Sequence, residues 1–344
     1  MNLFRSFPRS APYKLTALVM VGALLNACGG GGGGGDSLVL TELSSSAQQP
    51  AVITVSFKAK TYSGDPVADL TIANFEVLEN DKPISLYEAT PSLDKDPDEF
   101  VYNTLLLLDL SGSVLANSFE TLKSAAATFI DTAIADANND QGSFQIKLAY
   151  FDGRENIQDL SEYTSNKQTL LAALDALDSS SSADSSTNLY GAMVQGVSDI
   201  DDVVEGFNIS GIVSAGSLVV FTDGNDQAAR VTKSTAQSAV DRAAEGLTIF
   251  TIGLEGEVDQ NVLSQLGRDG TSFATDISGL VAAFNDIAAR INDEANSIYL
   301  FRYCSPKRSG DSNKLTIIAN RDGEKGRLHT KFSASGFSGG CLIQ

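Results

Sequence analysis

The 344-residue sequence contains no tryptophan, a single histidine and three cysteines. Cations are also scarce, because 24 Lys and Arg residues stand against 43 Asp and Glu residues, giving a formal net charge of -19. A surface this acidic repels phosphate backbones, so we expect no nucleic-acid partner. The lone His329 and the absence of any Cys-x-x-Cys pair argue against a zinc site built from histidine and cysteine.

The first 27 residues have the pattern of an export signal. Three cations precede an apolar run, LTALVMVGALL, which is too short to span a membrane as a mature helix. The run ends in LNAC, which resembles a bacterial lipoprotein signal, in which cleavage precedes a lipid-modified cysteine. The resemblance implies a signal peptide over 1–27 and lipidation of Cys28. An ordinary secretory signal is the alternative.

A run of seven glycines follows Cys28. Glycine restricts the backbone least, so we expect 28–36 to be a flexible tether. The lipoprotein resemblance then implies a protein held by a lipid at the membrane of a bacterial cell envelope. Gly29, rather than an aspartate, favours the outer membrane over the inner one. Whether the protein faces the periplasm or the outside is left open.

The other two cysteines, Cys304 and Cys341, would meet an oxidising compartment after export, so we expect a disulfide between them. A loop of this length gives a stabilisation of about 4 kcal/mol at best from chain entropy. Two buried free thiols are the alternative.

The hydrophobic periodicity divides the remaining chain into three parts. Residues 37–93 alternate with a period of two, which predicts strands. Between 100 and 295, apolar strand-like runs alternate with helical periodicity, which predicts an α/β fold with a doubly wound, mostly parallel sheet and helices on both faces. Residues 296–344 return to a period of two. Neither flanking segment buries a face alone, so we predict that the two form one smaller β-sandwich.

Two apolar strands of the α/β part end in an aspartate. LLLLDLSGSV places Asp109 at a strand end, with Ser111 and Ser113 at alternate positions, where their hydroxyls project to the same side. SLVVFTDG ends in Asp223, and Thr187 precedes a helical segment, NLYGAM. Ligands of such sheets bind at the carboxyl ends of strands, so these oxygens should converge. Oxygen ligands suit magnesium, manganese or calcium.

These motifs, D-x-S-x-S, then T-N-L-Y-G-A, then T-D-G, together resemble the metal-ion-dependent adhesion site of a von Willebrand factor type A (VWA) domain. The match runs from about 100 to 295, and residues 37–93 resemble the β segment that precedes some bacterial VWA domains. The resemblance implies that all five residues bind one divalent cation, Mg²⁺ being the first choice and Mn²⁺ or Ca²⁺ the alternatives. Ser185 or Ser186 is an alternative to Thr187 as a ligand. The alternative to a metal site is a domain that keeps this fold but binds no metal.

The resemblance implies a binding function, in which an Asp or Glu carboxylate of a protein or peptide partner fills an open position on the cation. The alternative is a scaffold or assembly subunit of an envelope complex, with a mainly structural metal. We expect no enzyme, because Leu110 interrupts the D-S-G order of an aspartic protease and no phosphate-loop motif occurs. In some VWA domains the last helix shifts between two affinities, and FNDIAARIND is the corresponding segment here.

Overall fold

The computed structural model describes residues 37–93, 100–134, 143–209, 212–341 and 343. The predicted signal peptide, the tether and Cys28 lie outside the described residues. Within those ranges, no helix combines the length and the hydropathy needed to cross a membrane.

The described part of the chain contains thirteen strands and eight α-helices. The strands are β1 (Leu38–Gln48), β2 (Val52–Thr61), β3 (Phe75–Glu79), β4 (Lys82–Pro83), β5 (Phe100–Asp109), β6 (Phe144–Phe151), β7 (Gln158–Asp159), β8 (Val213–Thr222), β9 (Leu247–Leu254), β10 (Gly270–Ala274), β11 (Ile298–Cys304), β12 (Asn313–Arg321) and β13 (Glu324–Phe332). The helices are α1 (Leu86–Ala89), α2 (Gly112–Asn117), α3 (Phe119–Ala133), α4 (Lys167–Asp175), α5 (Leu189–Ile209), α6 (Lys233–Arg242), α7 (Gln260–Leu266) and α8 (Leu280–Asn296).

The central sheet has six strands in the order β10-β9-β8-β5-β6-β7, and only the short β7 is antiparallel. The central position of β5 explains its four consecutive leucines, because alternate side chains of the strand enter the cores on opposite faces of the sheet. Leu106 and Leu108 pack with residues of α3, α4 and α8, whereas Leu105 and Leu107 pack with residues of α5, α6 and α7. The predicted doubly wound sheet with helices on both faces is confirmed.

The flanking segments form two antiparallel sheets that share strands from both ends of the chain. One sheet has the order β1-β2-β11 and the other β13-β12-β3-β4. Their inner faces enclose a third core, which contains Phe57, Phe75, Phe301 and Ile317. The fold-class prediction of a β-sandwich built from the N- and C-terminal strands is therefore confirmed.

A disulfide joins Cys304, at the end of β11, to Cys341 in the C-terminal tail, with Cα atoms 5.8 Å apart. It closes a loop that contains β12 and β13. The predicted pairing is confirmed, and the alternative of two free thiols is wrong.

A buried ion pair links the sandwich to the last helix of the α/β domain. Glu294 of α8 lies 2.5 Å from the Lys58 ammonium and 3.0 Å from that of Lys60, both on β2. The side chains of Lys58 and Glu294 are each only 5% exposed. Burial lowers the pKa of Lys58 even though Glu294 opposes that shift. The segment FNDIAARIND lies within α8, so the helix considered above for an affinity change is attached to the sandwich.

Candidate metal site

Asp109 lies at the carboxyl end of β5, where β5 and β8 run side by side. It is fully buried, and it accepts hydrogen bonds from the Thr222 hydroxyl (2.6 Å) and from the backbone N–H of Ser111 (2.8 Å). Burial raises the pKa of Asp109 to about 7, although both hydrogen bonds favour the ionised form, and the nearby charge of Asp223 adds to the increase. The carboxylate is thus held in place in an environment that penalises its charge.

The two serines of the motif connect β5 to the segment after β8. Ser111 directly precedes α2, and its hydroxyl lies 3.3 Å from the Ser113 hydroxyl. Ser113 in turn donates a hydrogen bond to the Asp223 carboxylate (2.8 Å). Ser111 and Asp223 are buried, whereas Ser113 is exposed, so the cluster has one side open to solvent. Burial also raises the pKa of Asp223.

Thr187 approaches the same place from a third segment. Its backbone carbonyl accepts hydrogen bonds from the N–H groups of Gln227 (2.8 Å) and Ala228 (3.0 Å), in the loop that follows Asp223. A methyl group built on Gly224 would lie 3.7 Å from the Thr187 hydroxyl. The buried threonine is therefore bonded to the loop after the T-D-G segment, and its hydroxyl lies beside Gly224.

The serines beside Thr187 have other partners. The Ser185 carbonyl accepts a hydrogen bond from the N–H of Gly112 (2.9 Å), and a Cβ atom at Gly112 would lie only 3.0 Å from that of Ser185. The Ser186 hydroxyl donates to the Asp184 carboxylate (2.7 Å). These contacts tie the loop to the D-x-S-x-S turn, and Thr187 stays our predicted ligand.

The donor set of this cluster fits a hard divalent cation. It comprises two buried carboxylates and three hydroxyls, without histidine or cysteine, and both carboxylates have raised pKa values. A bound cation would favour their ionised forms and relieve the penalty of burying negative charge. Nowhere in the described ranges does a group of three or more His, Cys, Asp or Glu residues come together to hold a metal ion, so this site depends on its hydroxyl oxygens as well as its two carboxylates.

Asp152 is a residue of the site region that the sequence analysis missed. It follows β6, is 1% exposed, and accepts hydrogen bonds from Arg154 (Nε, 2.9 Å) and from the backbone N–H of Ala183 (2.9 Å). Burial would raise the pKa of Asp152, but these hydrogen bonds outweigh burial and lower it. Its backbone carbonyl accepts from the N–H of Asn188. Asp152 therefore holds the loop that delivers Thr187, and an aspartate directly after an apolar strand is the signal that could have revealed it.

Asp226 was missed as well, and it orders the loop after β8. Its carboxylate accepts hydrogen bonds from the N–H groups of Tyr190, at the start of α5, and Ala229. Arg230 then donates to the Gly153 carbonyl (2.6 Å). The loops after β6 and β8 are thereby joined around the Thr187 segment.

His329, the single histidine of the sequence, lies on an exposed position of β13. Its Nδ1 atom is 3.0 Å from the Thr316 hydroxyl of β12. It belongs to the sandwich and not to the oxygen cluster.

The fold and the cluster define a class: a doubly wound α/β domain with hydroxyl and carboxylate oxygens at the carboxyl ends of neighbouring parallel strands. A family model for the von Willebrand factor type A domain matches residues 103–294, more than half of the chain. The chain belongs to the VWA domain family.

Several solved structures are similar to this chain at low sequence identity. A von Willebrand factor type A protein from Catenulispora acidiphila is 12% identical (TM-score 0.45), with 87% of this chain and 73% of that chain covered. The vWF domain of the type V pili tip protein Mfa5 from Porphyromonas gingivalis is 13% identical (TM-score 0.41), with 56% of this chain and 96% of that chain covered. The pilus adhesin SpaC from Lactobacillus rhamnosus GG is 9% identical (TM-score 0.43). The match covers 86% of this chain and 47% of the adhesin. Among curated proteins, none matches the chain.

Proposed function

We propose that this chain is a metal-ion-dependent protein-binding module, carried on a membrane-tethered bacterial lipoprotein. One observation carries the proposal: the Ser113 hydroxyl donates to the carboxylate of Asp223, 110 residues away in sequence, while Ser113 also contacts Ser111. This contact brings two of the three motif segments together, and Thr187 reaches the same point beside Gly224. Chance occurrences of the three motifs would have no reason to meet.

In the proposed site, Asp109, Ser111, Ser113, Thr187 and Asp223 hold a divalent cation, with Mg²⁺ as the first choice. The cation supplies a positively charged coordination position for a carboxylate of the partner. Asp109 is fixed by the Thr222 hydroxyl and the Ser111 N–H, so it is oriented before any ion arrives. The exposed Ser113 marks the side from which a ligand enters.

The partner is a protein or peptide that presents an Asp or Glu side chain. An acidic ligand would ordinarily be repelled by a chain with a net charge of -19. A divalent cation is the largest local charge at its site and reverses the sign of the field there. Partner binding should therefore depend on metal more strongly than folding does.

The predicted lipid tether would locate this binding activity at a membrane. Lipidation of Cys28 and the glycine run behind it would hold the folded part at a bacterial membrane, the outer membrane being favoured by Gly29. In the scaffold alternative, the same domain recruits envelope components through other surfaces, and the metal contributes mainly to stability.

The first experiment uses the metal alone as the probe. Thermal unfolding in EDTA and in MgCl₂ should show a higher melting temperature with Mg²⁺ for the wild type and no metal effect for Asp223→Asn. Asp202→Asn, which removes an exposed carboxylate from α5, is the matched control and should respond like the wild type. An unchanged Mg²⁺ response in Asp223→Asn would rule out the proposed site.

Affinity capture from the native envelope then separates the two functions. In the adhesion reading, a captured partner is released by chelator and is not captured by Asp223→Asn. In the scaffold reading, the partner stays bound after chelation, although the melting temperature still falls.

A further inference from the structure

The C-terminal part of the chain has the opposite charge to the rest. Residues 296–344 contain eight Lys and Arg but three Asp and Glu residues, a net charge of +5 within a chain of net charge -19. The remaining residues therefore carry -24. The proposed metal site contains none of the cations of residues 296–344. Their positive charge therefore indicates a separate surface.

The positive charge is concentrated on one face of the sandwich. Along β13, Lys325, Arg327, His329 and Lys331 are exposed, while the residues between them are buried or half-buried, so all four share the outer face. Successive members are about 7 Å apart along the strand. Lys314 of the neighbouring β12 pairs in register with Lys331 and is also exposed. The four lysine and arginine residues among these, Lys314, Lys325, Arg327 and Lys331, are named the cationic face.

The acidic groups around the cationic face are few. Glu76 on β3 pairs with Ile318 of β12 and is exposed on the same sheet, and Asp81 lies 2.6 Å from the Lys314 ammonium. In the described part of the chain, neither Lys325 nor Lys331 has an ion-pair partner. The charges of Lys325 and Lys331 are therefore not balanced by an ion pair within the described ranges.

The first described residues lie at the rim of this face. The backbone N–H of Lys325 donates a hydrogen bond to the Ser37 hydroxyl (3.2 Å). The next residue of β13 is Gly326, where a Cβ atom would lie 2.7 Å from the Leu38 carbonyl oxygen, so only glycine permits this approach. Eight residues separate Cys28 from Ser37, and such a segment spans about 30 Å at most when extended. A lipid on Cys28 would thus keep the rim of the face near the membrane surface.

We propose that the cationic face of β12 and β13 binds the anionic headgroups of the membrane to which the chain is tethered. The inference rests on the lipid anchor of the proposed function. Lys and Arg side chains are attracted to an anionic surface, and the net negative charge of the remaining residues is repelled by it. The two effects act together, so the face turns toward the membrane. Two such cations, Lys325 and Lys331, contribute on the order of thirtyfold in affinity for an anionic surface.

The test is lysine footprinting of the full chain, anchored to vesicles and labelled with a water-soluble amine reagent. Vesicles of neutral phosphatidylcholine are compared with vesicles that also contain phosphatidylglycerol. On the anionic vesicles, labelling of Lys314, Lys325 and Lys331 should fall severalfold and recover at high salt. Lys233 on α6 is the internal control and should be labelled equally on both. Equal labelling of the face lysines on the two kinds of vesicle would overturn the proposal.

Two charge-matched variants sharpen the result. The face variant carries Lys325→Gln, Arg327→Gln and Lys331→Gln, and the control variant carries Lys233→Gln, Arg242→Gln and Arg290→Gln at exposed positions of α6 and α8. Protection of Lys314 should be lost in the face variant and kept in the control variant. Loss in both would mean that net charge, and not this face, is responsible.

The remaining outcomes distinguish the anchor from the face. Flotation with neutral vesicles reports the lipid alone, so a chain that does not float lacks the anchor, while its footprint on anionic vesicles still tests the face. Protection of the face lysines without vesicles, increasing with protein concentration, would show that a second copy covers the face and would overturn the proposal.

Discussion

Asp109→Asn should make the metal-free protein more stable, although it removes a predicted metal ligand. The wild-type carboxyl is fully buried, and its pKa is raised from 3.8 to about 7, with burial as the main cause. Between these two values the folded state binds the proton more tightly than the unfolded state. Stability from this group therefore falls as pH rises through that window, and the loss is complete above about pH 7.

The size of the effect follows from the pKa shift. A difference of about three pKa units corresponds to about 4 kcal/mol of folding free energy at pH 8, and to about 1–2 kcal/mol at pH 5. Asparagine keeps the acceptor for the Ser111 N–H. Its amide N–H₂ faces the Thr222 hydroxyl, which also interacts with the N–H and C=O of Gly224 and is able to reorient. The variant should thus retain the hydrogen bonds and lose only the penalised charge.

The assay is urea unfolding in EDTA at several pH values between 5 and 8, with Glu155→Gln as a control that removes an exposed carboxylate. The stability advantage of Asp109→Asn should increase with pH, and Mg²⁺ should stabilise the wild type but not the variant. A variant that is less stable than the wild type in EDTA at pH 8, or an advantage that does not change with pH, would refute the reasoning.

Three further predictions concern the supports of the site and the sandwich. Asp152→Asn should weaken Mg²⁺ binding and lower stability at neutral pH. Because the pKa of Asp152 is lowered in the folded state, the wild-type advantage should decrease as pH falls below the ordinary value of 3.8, as urea unfolding at several pH values from 7 to below 3.8 will show. Replacing Cys304 and Cys341 by serine should cost up to about 4 kcal/mol in denaturant unfolding, and an equal midpoint for the reduced wild type would confirm the cause. Glu294→Gln should cost about 3–5 kcal/mol because Lys58 remains buried without its partner, whereas Lys58→Met combined with Glu294→Leu should cost much less in the same measurement.

The prediction of the fold succeeded because its signals are local. Continuous apolar runs such as β5 indicate a strand covered on both faces, and the return to a period of two on either side of the α/β part indicates exposed antiparallel sheets. The family is confirmed by the match over residues 103–294. The disulfide is confirmed as well; it was predictable because only two cysteines follow the predicted export signal.

The five metal ligands remain a prediction; among them, Ser113 contacts both Ser111 and Asp223. The contribution of Asp152 and Asp226 was not predicted, because each acts through backbone N–H groups of segments distant in sequence. No local pattern in FDGRE or TDGND specifies which loop will be bound. The Lys58–Glu294 pair escaped prediction for the same reason, since β2 and α8 meet only after the sandwich has closed.

Composition and periodicity alone determined the class of fold, the acidic character, the two candidate carboxylates and the residue types around them, because each of these depends on neighbours within a few positions. Only the tertiary structure decided that Ser113 reaches Asp223, that Asp109 is buried enough to resist ionisation, and that the cations of β13 share an open face beside Ser37. Those properties depend on distances across the chain and on exclusion of water, which arise when strands from separate segments pack together.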